Sequence, residues 1–225
     1  LKRLLLGGIF LLAGGAGFVW WQLGLPVEPP QGARVEIARG TGARQIAKQL
    51  VQAGAIRDAN LFLAALTLKQ AKLQAGEYVF EKPATVWEVL DRLRRGDIFQ
   101  LEATIPEGSN RYDIARILAA AGVIDAQKFI AESAEGELIK DLAPGAPTLE
   151  GFLFPATYRF ARRTSAQSIC KEMVNRFRRA WKEAGGTKDV LRYVTMASLV
   201  EKETGVPAER GLVSSVFWNR IGLKM

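Results

Sequence analysis

The chain has 225 residues and a formal charge of +8, 31 Lys and Arg against 23 Asp and Glu, which points to an anionic environment: nucleic acid, acidic phospholipid or an acidic cell-wall polymer. It contains no histidine, which excludes Ser-His-Asp and Cys-His nucleophiles and His-ligated zinc or non-haem iron, so carboxylates, hydroxyls and amides must carry any reaction. The single cysteine, Cys170, cannot form an intrachain disulfide and falls at an apolar position of a helical run, as a core residue does.

Residues 4–25 are the one segment long enough to cross a bilayer: 22 almost wholly apolar residues, roughly 33 Å as a helix. Lys2 and Arg3 precede it, so the positive-inside rule predicts a cytoplasmic N-terminus and places the rest of the chain outside. Its length, and the lack of a small-x-small cleavage site after it, predict a retained single-pass anchor rather than a cleaved signal peptide. Residues 26–33, PVEPPQGA, read as an extended linker.

From residue 35, VEIARGTGARQIAKQLVQAGAI reads as a strand, a Gly-containing turn and a helix with Ile46, Ala47, Leu50 and Val51 on its apolar face. Gly54 supplies the stop. A shift of 68 positions lays this stretch onto ATIPEGSNRYDIARILAAAGVI, pairing Ile37 with Ile105, Gly40 with Gly108, Ile46 with Ile114 and Leu50 with Leu118. Each copy continues into a second helix, at 60–69 and 126–134, then a strand closing on an aromatic, at 77–80 and 157–160, then a third helix, at 86–95 and 166–180. The chain therefore repeats a β-α-α-β-α unit, and its fold class is α+β. The densest basic stretch, Arg162 to Lys182, carries no nucleic-acid motif. Its cations alternate with Ile169, Met173, Val174, Phe177 and Trp181 at helical intervals, as on the wet face of an amphipathic helix.

Further on, an apolar run ends abruptly in Glu201 and Glu203. An apolar wall around one carboxyl group raises its pKa and keeps a proton on it near neutrality, as a general acid needs. Val190, Val194, Ala197 and Glu201 form one helical stripe; Met196, Leu199, Val200 and Glu203 form another. Periodicity does not choose between them, and a solvated helix end with Lys202 and Arg210 as partners accounts for both equally well. Glu150 is a second candidate, in a segment where Gly151 allows close backbone approach and Pro155 fixes a turn. It reads either as a substrate contact and electrostatic support for Glu201 or as an ordinary loop carboxylate. Ser198 and Thr204 flank the acid as orienting groups.

Three strings, TIPEG at 104–108, LEGFLFPATY at 149–158 and ASLVEKETGVPAERGLVSSVFWNR at 197–220, occur in the order found in the endolytic murein transglycosylases, the MltG or YceG-like family, which this chain resembles. The resemblance makes Glu201 the catalytic acid and implies a transmembrane helix at 1–25, a linker at 26–33, a LysM-like β-α-α-β domain at 34–101 and an α+β transglycosylase domain at 102–225. That domain is expected to lack its C-terminal part, since family members continue into a Leu-Gln-x-Asp-Pro string. The family also usually carries an Asp where this chain has Ala156.

The implied activity is lytic cleavage of the MurNAc-β-1,4-GlcNAc bond of nascent glycan strands, leaving 1,6-anhydro-MurNAc ends. The sugar supplies its own nucleophile, so one glutamate suffices where a glycosidase needs two carboxylates. Expected partners are peptidoglycan strands, the bacterial inner membrane and peptidoglycan synthases, with the soluble part periplasmic and neither metal nor cofactor required. Glu150, Gly151, Ser198, Asn219 and Arg220 are the expected substrate-binding residues, Asn219 toward an N-acetyl or hydroxyl group and Arg220 toward a carboxylate, although helix capping accounts for the last two as well. The alternative is a non-enzymatic scaffold that binds peptidoglycan or docks a synthase through LysM-like units. There Tyr78, Phe80 and Trp87 are either sugar platforms or core residues.

Overall fold

Alternating burial marks the first strand, β1 (Ala33–Ile37), whose Ala33, Val35 and Ile37 point inward. It pairs antiparallel with β2 (Gly76–Phe80), Ala33 opposite Phe80 and Ile37 opposite Gly76. Between them lie α1 (Ala43–Gln52) and α2 (Ala59–Lys69). The first buries Ile46, Ala47 and Leu50, while Val51, expected on the same face, is exposed. Asp58 caps α2 by accepting from Asn60 N and Leu61 N. Next comes α3 (Val86–Arg95), opened by a Thr85 and Glu88 capping box and closed by left-handed Gly96. The computed structural model describes residue 17, residues 20–186 and residues 188–225, and it divides after Phe99 into two units.

The second unit uses the same plan. β3 (Gln100–Thr104) pairs antiparallel with β4 (Thr157–Ala161), with Thr104 opposite Thr157. Between them α4 (Arg111–Ala120) buries Ile114, Ala115 and Leu118, and α5 (Ala126–Ser133) buries Phe129. The long α6 (Ala166–Glu183) turns Ile169, Cys170, Met173, Val174 and Phe177 into the core and leaves Lys171, Arg176 and Arg179 exposed, the amphipathic division read from the sequence. Two further helices, α7 (Val190–Glu203) and α8 (Arg210–Gly222), complete the unit.

The repeat holds at side-chain resolution. Phe62 and Phe129 are both fully buried, each one turn into a helix whose cap is an aspartate, Asp58 or Asp125. Tyr78 and Tyr158 are both buried, and each hydroxyl donates to the carbonyl four residues earlier, Gln74 O at 2.8 Å and Phe154 O at 2.6 Å. Burial pushes the Tyr158 hydroxyl up to about 12. The copies differ in the connection between second helix and second strand, residues 134–156 against 70–75. Tyr78 and Phe80 belong to the core of the first unit and offer no sugar platform, whereas half-buried Trp87 faces Trp20 at 5.6 Å and carries Lys69 above its ring at 5.3 Å.

The predicted membrane span lies mostly outside the described residues. Of its end, residues 20–23 are helical, and Leu23 is buried in the first unit's core. Among the described residues no helix is long and apolar enough to cross a membrane. The segment read as an extended linker is strapped down: Val27 and Ala84 exchange both backbone bonds, at 2.9 and 3.0 Å, and Arg57 donates to Pro26 O at 3.2 Å.

Candidate active site

The last two turns of α7 form one wall of a cleft of about 390 Å³ in the second unit. Val194, Ala197, Ser198, Glu201 and Lys202 line that side. Opposite stand Glu107 to Asn110 in the turn from β3 to α4, and Glu150, Gly151, Leu153, Phe154 and Pro155 from the long inserted connection, with Ile114 and Phe177 completing the apolar surface. Of the two stripes on α7, the one carrying Val194 and Ala197 brings Glu201 to the cleft. The other sends Met196 and Val200 into buried positions and leaves Glu203 exposed at the helix end. A broader depression of about 620 Å³ is lined entirely by α6, with Lys171, Glu172, Arg178 and Arg179 among its residues, and gathers nothing from a second element.

Glu201 is half-buried, its side chain 35% exposed, and Arg210 Nη2 lies 3.0 Å from its Oε2. The apolar wall of a general acid and the Arg210 ion pair of a solvated helix end are therefore both present at one carboxylate. Gly108, at φ +74°, faces the other oxygen: a Cβ placed there would stand 3.6 Å from Glu201 Oε1. Glu150 Oε2 accepts from the backbone N of Arg111 at 3.1 Å, so this carboxylate ties the inserted connection to the start of α4 as well as lining the cleft. Gly151 has φ +82°, and a Cβ there would come within 2.6 Å of Val194 Cγ1. The close approach read from the sequence is that of the loop onto α7.

Ser198 lines the cleft and donates to Thr195 O at 2.8 Å, a bond along its own helix. The Thr204 hydroxyl bonds within the reversal that follows α7 and not to Glu201. It donates to Glu209 Oε2 at 2.9 Å and accepts from Val206 N at 3.1 Å. Asn219 and Arg220 are exposed near the end of α8 and are not among the residues lining the cleft. Ala156 sits in the strand pairing, its carbonyl accepting from Ile105 N at 3.0 Å. Burial, with Glu132 adding, pushes the Cys170 thiol up to about 12, which keeps it protonated in the core.

Sequence reasoning passed over Glu107, Gly108 and Asn110 as site residues. The signal was available in the repeat, which aligns Gly40 with Gly108 at the turn between strand and first helix. In the first unit the same corner holds a smaller, uncharged hollow of about 210 Å³, lined by Ile37, Gly40, Thr41, Ile46, Leu66 and Leu73 among others.

The profile of the YceG-like family matches residues 35–225. The chain belongs to that family. Among similar proteins is an endolytic murein transglycosylase of Bacillus subtilis strain 168, 31% identical across 96% of this chain and 66% of its own length. Another protein of that name, from Streptococcus pneumoniae serotype 2 strain D39, is 27% identical across 85% of this chain and 40% of its own length. This YceG-like chain thus spans less than two thirds of the curated relatives it matches. A solved structure of a putative YceG-like protein from Listeria monocytogenes aligns with a TM-score of 0.46 at 24% identity, over 85% of this chain and 71% of that one.

Proposed function

We propose that this YceG-like protein is a membrane-anchored endolytic lytic transglycosylase that cuts the MurNAc-β-1,4-GlcNAc bond of peptidoglycan, with Glu201 as acid and then base. The observation that carries the proposal is the placement of Glu201: of the two candidate carboxylates on α7, it is the one on an apolar-walled cleft, in a chain whose relatives are named endolytic murein transglycosylases. The cleft is built chiefly from three separate stretches of the second unit, joined by Phe177 of α6, and each stretch overlaps one of the three sequence strings.

In this reading Glu201 gives its proton to the glycosidic oxygen as the bond from C1 of the muramic sugar breaks. The C6 hydroxyl of the same sugar then attacks C1, and Glu201 takes back the hydroxyl proton. The carboxyl group ends in its starting state and no water is consumed. The N-terminal apolar stretch ahead of the first unit holds the enzyme at the periplasmic face of the inner membrane, beside the synthases that supply nascent strands. Leu153, Phe154 and Pro155 offer an apolar surface to a sugar face, while Ser198, Lys202 and Glu107 meet its polar rim.

Glu201→Gln in the full-length protein keeps the shape of the side chain and removes the transferable proton. The expected result is an unchanged melting temperature with 1,6-anhydro ends lost by mass spectrometry, a fall in rate on the order of 10³-fold or more. Normal turnover in that variant would falsify the assignment. Reducing ends from the wild type, one water heavier, would make the protein a glycosidase instead.

A further inference from the structure

We propose that Arg210 is a positioning residue of the same site, holding Glu201 so that one oxygen alone faces the substrate; the proposal rests on the assignment of Glu201 as the acid. Arg210 opens α8, while Glu201 stands in the last turn of α7. The chain between them reverses through a 3-10 turn, Pro207–Glu209, that begins with proline. Thr204, 8% exposed, fastens this reversal by donating to Glu209 Oε2 and accepting from Val206 N. The residue next to that fastening is Arg210, which is thereby returned to the end of α7 with Nη2 at 3.0 Å from Glu201 Oε2.

Two features separate this pair from an ordinary surface ion pair. Glu201 lines the cleft and Arg210 does not, so the guanidinium grips the carboxylate from behind. Oε1 is the oxygen that lies toward Gly108, a cleft residue whose missing side chain leaves that oxygen uncovered. The grip is also incomplete as a structural device, because the buried Nε of Arg210 has no hydrogen-bond partner among the described residues.

A glutamate with free torsions delivers its proton from many orientations, few of them productive; pairing one oxygen with a guanidinium narrows them. When the proton has left, the same guanidinium already stands beside the anion as its counter-charge. Arg210 thus acts through Glu201, and its removal lowers the rate of chemistry without weakening the hold on the glycan.

The test uses full-length protein on purified glycan strands, with 1,6-anhydro ends counted as product. Arg210→Gln is expected to lower kcat by about 10²-fold with KM changed by less than about threefold. Added guanidinium ion is expected to return about tenfold of that loss, and Arg210→Lys to fall between Gln and wild type. An unchanged kcat, a loss carried by KM alone, or no response to guanidinium overturns the proposal. If Arg210→Gln does not fold, Arg210→Lys decides on the same readings, a kcat equal to wild type overturning it. A wild type without anhydro products, or an active Glu201→Gln variant, sinks the assignment of the acid itself. An inactive Glu201→Gln beside a fully active Arg210→Gln sinks the positioning role alone.

Discussion

At the cleft, individual side chains carry two roles that sequence alone does not separate. Glu150 illustrates this: it lines the cleft and also accepts from Arg111 N at the start of α4. Glu150→Gln keeps an acceptor oxygen and removes the charge, whereas Glu150→Ala removes both. If the helix-end contact dominates, Gln holds the urea midpoint near wild type while Ala costs about 1 kcal/mol; cleavage lost in the Gln variant at unchanged stability would instead make the charge functional. Gly151, which also lines the cleft, is constrained by its backbone. Its φ of +82° and the 2.6 Å approach to Val194 Cγ1 leave no room for a methyl group, so Gly151→Ala is expected to cost on the order of 1–3 kcal/mol, read as a lowered urea midpoint. Cleavage should fall with it, because the loop supplies one wall of the cleft. The need for glycine at 151 was legible from its setting among bulky neighbours. Which of Glu201 and Glu203 lines the cleft was not legible from periodicity, since both end plausible apolar stripes and the packing of α7 against its unit brings only Glu201 there. Arg210 was legible as a partner of the helix-end carboxylates, but its pairing with Glu201 in particular depends on a tight reversal held by Thr204 and Glu209, a tertiary event with no periodic signature.

Among elements, helices and strands were the most readable features, because caps and apolar spacing mark them locally. The two copies of β-α-α-β-α bury equivalent positions, Ile46, Ala47 and Leu50 in α1 and Ile114, Ala115 and Leu118 in α4. Less readable was how the longer second connection is fixed. Its 3-10 helix, Gly136–Ile139, is stapled to α6 by Arg178, which donates from Nη1 to Asp141 Oδ2 at 2.7 Å and from Nη2 to Leu138 O at 2.7 Å. These partners are nearly 40 positions apart and no pattern joins them. The Arg178 hydrogen bond holds the Asp141 carboxyl below its ordinary value of 3.8. A depressed carboxyl group contributes stability that is fully present above its unfolded-state value and lost as pH falls through the folded one. Wild type should therefore melt above Asp141→Asn at pH 6, and the gap should close as pH drops below about 3.8. Melting curves across that window check it, and a gap that persists in acid would mean that shape rather than charge holds the staple. Asp141 is largely exposed, so the difference should be small and should shrink further in high salt.

Across the whole molecule, the internal repeat is the organising fact, and it explains both what each unit shares and where the larger cleft lies. A βααβ unit followed by a helix closes its own core: Val35, Ile46, Leu50, Phe62, Tyr78, Phe80, Leu90 and Leu93 pack together in the first unit, and Ile114, Leu118, Phe129, Tyr158, Phe160, Ile169 and Met173 in the second. The same corner, between the first strand and first helix, is hollow in both. Only the second is wide and charged, because only there do an inserted connection and an added helix reach it, bringing Glu150 and Glu201. The cleft is thus an elaboration of one copy of a common scaffold. Because the first core is drawn wholly from residues before 100, residues 20–99 should fold alone. The two-stranded sheet is too small to stand by itself, but three helices bury its inner face. The fragment should unfold cooperatively in urea with a stability on the order of 5 kcal/mol. Its amide spectrum should be dispersed, with slow exchange concentrated in β1, β2 and α3. Leu23, buried at 1% exposure, sharpens the expectation: starting the fragment at residue 26 removes a packed leucine and should lower its stability by about 2 kcal/mol. A collapsed spectrum from residues 20–99 would mean that the first unit depends on the rest of the chain for its core, and that the repeat is one of sequence and secondary structure without independent folding.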